Sequence, residues 1–235
     1  MIIAVDGFSS TGKSTIAKKI ASQLGIIHVD TGAMYRAVTL YALNHNLIAD
    51  EHVDAEKLIA DLDKLKLHFA KNAQTSANDI YLNGQNVEND IRGMHVSDKV
   101  SAVAKIPEVR HFLVDQQRKM GEELDLVMDG RDIGTVVFPH ADLKLFVTAD
   151  PQVRAQRRYD ELKNLGVDVS LEEVQENIES RDYQDSTRAE SPLKRADDAV
   201  VVNNTDYTPE ETLQHVLQIL KDRNIYPKSS DSRTH

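Results

Sequence analysis

The feature that constrains this chain most is the stretch VDGFSSTGKST, which covers residues 5–15. Gly7, Gly12, Lys13 and Ser14 have the G-x4-G-K-S spacing of a loop that wraps phosphate groups. Glycine takes positive φ values without strain, so the main-chain N–H groups between the two glycines can turn toward an anion. The short apolar run MIIAVD before the loop predicts a buried parallel strand. The pattern therefore predicts a strand that leads into a phosphate-binding loop.

The residues after the loop predict a helix. Ile16, Ile20 and Leu24 recur at helical spacing, and Gly25 follows as a stop. The start of such a helix directs free N–H groups and the positive end of its dipole at a bound phosphate. A lysine in this position reaches the β- and γ-phosphates, and the hydroxyl that follows it can bind Mg²⁺. We therefore predict a nucleoside triphosphate site, with a chance Gly-rich turn as the alternative.

The overall charge and composition exclude several classes of function. The 235 residues include 28 Lys+Arg and 38 Asp+Glu, so the formal net charge is −10. An acidic chain has no general attraction for nucleic acid or an anionic membrane, and an anionic substrate must meet a local cluster of arginines. The absence of cysteine excludes disulfides, thiolate metal sites and a cysteine nucleophile. No run approaches the roughly 18 apolar residues of a membrane helix, so we expect a cytoplasmic protein without nucleic-acid or membrane partners.

Strand and helix patterns alternate along the chain. Five apolar runs separated by helical periodicities predict an α/β fold, a doubly wound five-stranded parallel sheet with helices on both faces. Residues 64–90 alternate apolar and polar side chains and contain Asn83-Gly84, a strong hairpin signal, so we expect a small antiparallel insert there. Ligands bind outside the carboxyl ends of parallel strands, where the phosphate loop, Asp30 and Asp129 are predicted to meet.

Three loops at or near predicted strand ends combine arginine with carboxylate or hydroxyl groups. They are DTGAMYR (residues 30–36), DGRDIG (129–134) and SRDYQDSTR (180–188). Surface salt bridges would explain one such loop, but three at one edge of a sheet favour a second anion site, since guanidinium groups bind phosphate bidentately. A switch protein needs only one nucleotide and an oriented water. The pattern therefore favours phosphoryl transfer between two bound substrates.

A fourth basic segment, VRAQRRYDEL, covers residues 153–162. It predicts a helix on which Arg154, Arg157 and Arg158 share one side. In-line phosphoryl transfer depends on positioning and charge neutralisation, so mobile arginines suit a helical lid that closes over a triphosphate. The alternative is that these arginines are merely solvated.

Together these motifs resemble the bacterial cytidylate kinases, in the nucleoside monophosphate kinase group of P-loop kinases. The resemblance rests on the loop, DTGAMYR, DGRDIGTVVFP, RAQRRYDEL and SRDYQDSTRAESPLKRADDA, and extends from Ile2 to about Leu220. It implies transfer of the γ-phosphate of ATP to CMP or dCMP with Mg²⁺ and without a covalent intermediate. We expect a monomer with one kinase domain, divided as follows: core 1–225, monophosphate-binding region 31–105 with the insert at 64–90, lid region 151–188, and disordered tail 226–235.

The resemblance also assigns roles to individual residues. Contacts to ATP fall to the loop and to two lid arginines: Gly7, Phe8, Ser9, Ser10, Thr11, Gly12, Lys13, Ser14, Thr15, Arg154 and Arg157, with Ser14 on the metal. Contacts to the monophosphate substrate fall to Thr31, Arg36, Ser101, Arg110, Asp129, Arg131, Asp132, Arg181, Asp185 and Arg188. Within this set Arg36, Arg131 and Arg188 would hold the phosphate, Ser101, Arg110 and Asp132 the cytosine, and Arg181 and Asp185 the sugar. The residues expected to act in catalysis are Lys13, Arg131, Arg157, Arg158 and Arg188.

Two positions depart from the family's usual pattern. Phe8 stands where the family commonly has proline, and VVNNTD (residues 201–206) stands where Asp-Thr or Asp-Ser usually follows the last strand. The second departure bears on the adenine side of the site. Three alternatives remain from the sequence: a sibling kinase for UMP, AMP or shikimate, a nucleotide-dependent switch or ATPase, and a non-catalytic nucleotide-binding module.

Overall fold

The structure is a computed structural model that describes residues 1–49, 52–72 and 78–226. Its strands are β1 (Ile2–Gly7), β2 (Ile27–Asp30), β3 (Ile48–Ala49), β4 (His52–Val53), β5 (Leu67–Lys71), β6 (Asn78–Leu82), β7 (Gln85–Asn86), β8 (Leu126–Gly130), β9 (Leu143–Thr148) and β10 (Val200–Asn203). Its helices are α1 (Lys13–Leu24), α2 (Thr31–Asn44), α3 (Ala55–Asp61), α4 (Met94–Ser97), α5 (Val100–Val103), α6 (Pro107–Glu123), α7 (Pro151–Asn164), α8 (Leu171–Thr187) and α9 (Pro209–Asp222). Within these ranges no helix combines the length and apolar character needed to cross a bilayer.

The predicted five-stranded parallel sheet is confirmed. Its strand order is β10-β9-β1-β8-β2, and every neighbouring pair is parallel. Side chains alternate across β1, so Ile3 and Val5 pack with α1 and α9, whereas Ala4 packs on the opposite face with Val114 of α6. Helices therefore cover both faces, and the carboxyl ends of the strands form one shared edge.

The loop between β1 and α1 requires glycine at both ends. Gly7 has φ 150°, and a Cβ atom there would lie 2.1 Å from the main-chain oxygen of Val147 in β9. Gly12, at the start of α1, has φ 81° in the left-handed region. The close approach of β9 and the left-handed turn thus explain the two glycines of the motif.

The predicted antiparallel insert is also present. Strands β5, β6 and β7 form a separate three-stranded antiparallel sheet. Asn83 and Gly84 join β6 to β7 with φ 50° and 84°, as a two-residue hairpin with two positive φ values requires. Parts of three predicted regions lie outside the described residues, namely 50–51 of the monophosphate-binding region, 73–77 of the insert and 227–235 of the tail.

Helices α7 and α8 form an antiparallel pair within the predicted lid region. Ala155 and Leu162 of α7 pack against Val174 and Ile178 of α8. Helix α8 begins at a capping box, in which Ser170 and Glu173 satisfy each other's main-chain N–H groups. The pair carries five of the arginines and aspartates of the candidate site on a rigid support: Arg157, Arg158, Arg181, Asp185 and, directly after α8, Arg188.

Candidate active site

One cleft of about 590 Å³ opens at the carboxyl ends of β1, β2 and β8. Its lining includes Lys13 and eight arginines, Arg36, Arg92, Arg110, Arg131, Arg157, Arg158, Arg181 and Arg188. Five carboxylates line it as well: Asp30, Asp129, Asp132, Glu161 and Asp185. The cleft is therefore a cationic pocket in a protein of net charge −10. Anionic ligands are the class that this charge pattern favours.

The loop end of the cleft, as we name it, consists of residues 7–15 and the side chains that hold them. Lys13 is buried, and its Nζ atom donates a hydrogen bond to the main-chain oxygen of Phe8 at 2.5 Å. Burial and the nearby Arg131 hold the pKa of the Lys13 ammonium well below its ordinary value. A phosphate beside Lys13 would add to the negative charge of Asp129 and Asp182, which favour the ammonium form.

Ser14 belongs to a chain of hydrogen bonds that ends in a buried histidine. Its hydroxyl donates to Asp129 Oδ2 at 2.6 Å, and Asp129 Oδ1 lies 2.7 Å from His28 Nε2. Thr31 Oγ1 donates to the main-chain oxygen of Asp129 at 2.7 Å. The end of β8 is therefore fixed from both sides, and the lone pairs of the Ser14 oxygen remain available to a cation.

Several residues of the loop support it and do not line the cleft. Phe8 packs edge-on against Phe146, with ring centroids 5.8 Å apart, and Thr11 donates to the main-chain oxygen of Phe8. The N–H group of Ser9 donates to Asp182 Oδ1 at 2.8 Å. Arg154 lies outside the lining, where it donates to the main-chain oxygen of Ser9 at 3.0 Å and pairs with Asp182.

The arginine end, on the other side of the cleft, consists of Ser101, Arg110, Asp132, Arg181, Asp185 and Arg188. Arg110 is only 2% exposed, pairs with Asp132 and donates to the main-chain oxygen of Ala104 at 3.2 Å. Burial lowers and Asp132 raises the pKa of the Arg110 guanidinium, with a net rise. Arg188 lies 3.8 Å from Asp132 Oδ1 and donates twice to the main-chain oxygen of Ser191.

Asp185 connects the arginine end to the loop end. Its Oδ2 atom accepts from Arg131 Nε at 2.9 Å, and its Oδ1 atom accepts from Ser101 Oγ at 3.3 Å. Arg131 also donates to Ser9 Oγ at 3.0 Å. Burial opposes the charge of Asp185, but Arg131, Arg181 and Arg188 together lower the pKa of its carboxyl. Arg131 thus lies between the two ends, where a transferred group would pass.

Comparison with known proteins agrees with this arrangement. The sequence model of the family described as cytidylate kinase matches residues 3–222. The chain belongs to the cytidylate kinase family. A cytidylate kinase of Parabacteroides distasonis is 55% identical over 218 residues, which cover 93% of this chain and 95% of the relative. Cytidylate kinases of Bacteroides thetaiotaomicron and Flavobacterium johnsoniae are 52% and 50% identical, over 89% and 94% of this chain and 91% and 96% of the relatives.

The fold of this cytidylate kinase family member also resembles that of solved structures. An uncharacterized protein of Eubacterium ventriosum matches with a TM-score of 0.51 at 11% identity. The match covers 94% of this chain and 98% of the other. At this identity the likeness concerns the fold alone.

Around Arg36 the cleft contains guanidinium groups that are unpaired or only partly paired among the described residues. Arg36 is half-buried and donates no hydrogen bond to any residue that the structure describes. Burial, Arg181 and Arg92 lower the pKa of Arg36 to about 9, and burial and Arg131 lower that of Arg181 to about 10. Buried nitrogens without a partner in the described ranges include Arg110 Nε and Arg181 Nε. A bound anion would accept hydrogen bonds from these donors.

The sequence-predicted lid arginines have different surroundings. Arg157 donates to Asn204 Oδ1 at 3.0 Å and to the main-chain oxygen of Asn204 at 2.8 Å. Arg158 pairs with Glu161 and donates to the main-chain oxygen of Arg92 at 3.0 Å. Both line the cleft, whereas Arg154, predicted as their neighbour on the same face, lies beneath the loop.

The sequence analysis assigns no individual role to four residues that support or line the site, one of which lies within the VVNNTD stretch. They are Asp6, His28, Arg92 and Asn204. Asp6 accepts from the N–H groups of Ile133 and Gly134 at 2.8 and 2.7 Å and so fixes the turn that follows Asp132. That turn is a π-helical segment, Ile133–Val137, where the sequence predicted a polar loop. Each of the four residues acts on partners far away in sequence, which no local pattern reveals.

Proposed function

We propose that this chain transfers the γ-phosphate of ATP to CMP or dCMP and releases ADP with CDP or dCDP. The observation that carries the proposal is one cleft with two cationic ends, in a chain that belongs to the cytidylate kinase family. ATP would occupy the loop end, and the monophosphate would occupy the arginine end. A nucleotide switch has no use for the second end.

Transfer would proceed in line, because the substrate phosphate and the γ-phosphate approach from opposite ends of one cleft. Lys13 would neutralise charge on the β- and γ-phosphates, while Arg131, Arg157, Arg158 and Arg188 would stabilise the charge that develops on the transferred group. The lowered pKa of Lys13 and its weak partner, a single carbonyl oxygen, support its release toward phosphate. The remaining predicted loop contacts, Gly7 to Thr15, would come chiefly from main-chain N–H groups.

Mg²⁺ fits the residues at the loop end. Among the described residues no group of three or more His, Cys, Asp or Glu could hold a metal by itself. Mg²⁺ in phosphoryl-transfer sites is bound mostly by substrate phosphates, water and one or two protein oxygens, so a complete protein cage is not required. Ser14, whose proton is accepted by Asp129, would supply that protein oxygen. The ion would neutralise phosphate charge during transfer.

Arg188 of the arginine end, together with Arg36 and Arg131, would bind the acceptor phosphate with Thr31 nearby. Asp132 would accept from cytosine N4, and Arg110 would donate to N3 or O2, assisted by Ser101. Their fixed, buried pairing supports base recognition by a prearranged set of polar groups. Arg181 and Asp185 would contact the sugar, and Asp129 would support the loop. Arg154 would act on ATP indirectly, through Ser9.

We also propose that the protein acts as a monomer, because one chain supplies both ends of the cleft, and that it is cytoplasmic, as the resemblance to bacterial cytidylate kinases implies. The experiment that tests the function is a coupled ADP-release assay with ATP and Mg²⁺ across CMP, dCMP, UMP, AMP and shikimate. We expect CMP and dCMP to give the highest kcat/KM. Preference for UMP, AMP or shikimate would contradict the assigned substrate, and ADP release without any acceptor would indicate an ATPase.

A further inference from the structure

Asn204 lies directly after β10 and is the buried residue that joins the lid helix to the phosphate loop. It is 4% exposed. Its Nδ2 atom donates to the main-chain oxygen of Thr11 at 2.9 Å, and its Oδ1 atom accepts from Arg157 Nη1 at 3.0 Å. Its main chain adds two bonds, from its N–H group to Thr148 and from Arg157 Nη2 to its oxygen.

A side-chain amide supplies both the donor and the acceptor that these two bonds require. One face of the site presents a carbonyl acceptor, Thr11, and the other presents a guanidinium donor, Arg157. A carboxylate would satisfy Arg157 but would oppose the carbonyl oxygen, and a hydroxyl is too short to reach both partners from the same Cα position. Because the contact is buried, leaving either partner unsatisfied has a free-energy cost of its own.

The two partners belong to parts of the molecule that act on the same ligand. Thr11 precedes Gly12, which takes the left-handed conformation that starts α1, and Asn204 Nδ2 would lie 3.7 Å from a Cβ atom at Gly12. Arg157 belongs to α7, where its remaining long-range partners in the described ranges are main-chain oxygens of residues 204 and 205. Burial lowers the pKa of Arg157, and no carboxylate is among the causes.

We propose that Asn204 is a positioning residue that fixes Arg157 and the phosphate loop relative to each other for ATP binding. The inference rests on the proposed function, because it takes the loop end as the ATP site. Asn204 prearranges two groups that would otherwise have to be ordered when the triphosphate binds, so its effect falls on ATP and not on the monophosphate. It acts through Thr11 and Arg157 and need not touch the reacting atoms.

The test is a double-mutant cycle with Asn204→Ala and Arg157→Ala, read by calorimetry with adenosine 5′-(β,γ-imido)triphosphate and Mg²⁺. We expect each single change to weaken binding of the analogue by about tenfold or more. The double variant should bind it about tenfold more tightly than the product of the two single losses predicts. Asn204→Asp should also weaken binding, because it keeps the acceptor for Arg157 and loses the donor to Thr11. Asn203→Ala is the matched control, since the Asn203 side chain accepts hydrogen bonds only from Thr205 among the described residues.

CMP binding to the same variants reports whether the arginine end is still folded, and it should stay within about twofold of the wild type. If the loss of analogue affinity in the double variant equals the product of the two single losses within about twofold, the inference is overturned. Equal losses of analogue affinity for Asn203→Ala and Asn204→Ala would also overturn it. If Asn204→Ala fails to bind CMP, Asn204→Asp takes its place in the test. Unchanged affinity of Asn204→Asp for the ATP analogue would then overturn the inference. Failure of the wild-type chain to bind the analogue, or to phosphorylate CMP, would contradict the proposed function instead.

Discussion

The two ends of the cleft are formed by different kinds of chemical group. The loop end consists of glycines, main-chain N–H groups and the start of α1, and its principal charged side chain is Lys13. The arginine end consists of side chains from α5, α6, α8 and the turn after β8, joined in buried ion pairs. Main-chain groups can recognise the presence of a phosphate, whereas a set of oriented side chains can distinguish one base from another. Under the proposed function, the loop end would therefore set the affinity for ATP, and the arginine end would select the acceptor.

The two ends also differ in how their charge is balanced. Around Lys13 and Arg36 the cationic groups exceed the partners within reach, and burial lowers both pKa values. At Arg110 and Asp132 each charge has an opposite charge in contact. Removing one member of such a buried pair typically costs about 3–5 kcal/mol, because the other charge is left uncompensated. Substitutions should therefore act on ligands at the first kind of position, and on ligands and stability together at the second.

The largest effect is expected when the loop end loses its charged side chain. Lys13→Ala should lower kcat by a factor on the order of 10³, since a single electrostatic contact to a transferring phosphate contributes a few kcal/mol. The unfolding temperature should change little, because Lys13 donates to only one carbonyl oxygen. Lys221→Ala, on the exposed side of α9, serves as the control. Wild-type turnover in a folded Lys13→Ala chain would refute the assignment of the loop end.

The second effect concerns base selection at the arginine end. Asp132→Asn should reduce the ratio of kcat/KM for CMP over UMP by roughly 10², because an amide can donate to uracil O4 where a carboxylate opposes it. Asp185→Asn is the matched control, since it removes the same charge at the sugar side and should leave the ratio unchanged. If both variants lose CMP and UMP activity in equal proportion, base selection lies elsewhere.

A smaller effect separates charge from geometry at Arg36. Arg36→Lys keeps the charge but cannot bind a phosphate with two parallel N–H groups, so CMP affinity should fall by about tenfold. Affinity for an ATP analogue should remain within about twofold. The change breaks no hydrogen bond among the described residues, so stability should be unaffected. If calorimetry shows equal losses of affinity for CMP and for the ATP analogue, Arg36 does not belong to the site of the acceptor phosphate.

The smallest effect is expected at Asp6, which connects the two ends of the cleft through β1 and the turn after Asp132. Burial raises the pKa of Asp6 from 3.8 to about 6, although the N–H groups of Gly134 and Ile133 lower it. Between about pH 4 and 6 the native state therefore holds a proton that the unfolded chain has released. The contribution of Asp6 to the free energy of unfolding should fall as the pH rises through this window, by on the order of 1–2 kcal/mol.

Urea unfolding of the wild type and of Asp6→Asn across pH 4.5–7.5 measures this contribution as a difference. Carboxyls such as Asp30 act in the opposite sense: burial opposes the charge of Asp30, but Arg92 and Arg36 hold its pKa well below the ordinary range. Stability from Asp30 is therefore lost as the pH falls, and it cancels in the difference between the two chains. A difference that is constant, or that rises with pH, would contradict the raised pKa of Asp6.

Much of the fold could be predicted because its signals are local. The spacing of Gly7 and Gly12, the helical period after Ser14 and the turn at Asn83-Gly84 each fix main-chain conformation within a few residues. The three arginine motifs were predicted to converge because parallel strands share one carboxyl edge, and their residues do line one cleft.

The supporting residues were not predictable in this way. His28 contacts Asp129 across 101 positions of sequence, and Asp182 contacts Ser9 across 173. A hydrogen-bonding side chain that packs beside a distant partner leaves no periodic signal, so nothing in the sequence distinguishes His28 from the other eight histidines. Arg154 shows the converse limit: helical spacing indicates which side chains share a face, but not which neighbour covers each of them.

The guanidinium groups crowded around Arg36 have a consequence for the lifetime of the protein. Their mutual repulsion is part of the native state and would be offset by a monophosphate bound there as proposed, and a ligand that binds only the native state stabilises it by mass action. Degradation in cells draws on the opened chain, so a ligand that reduces opening also slows degradation. We therefore expect the abundance of the protein to rise with the supply of its acceptor nucleotide, without any change in its synthesis.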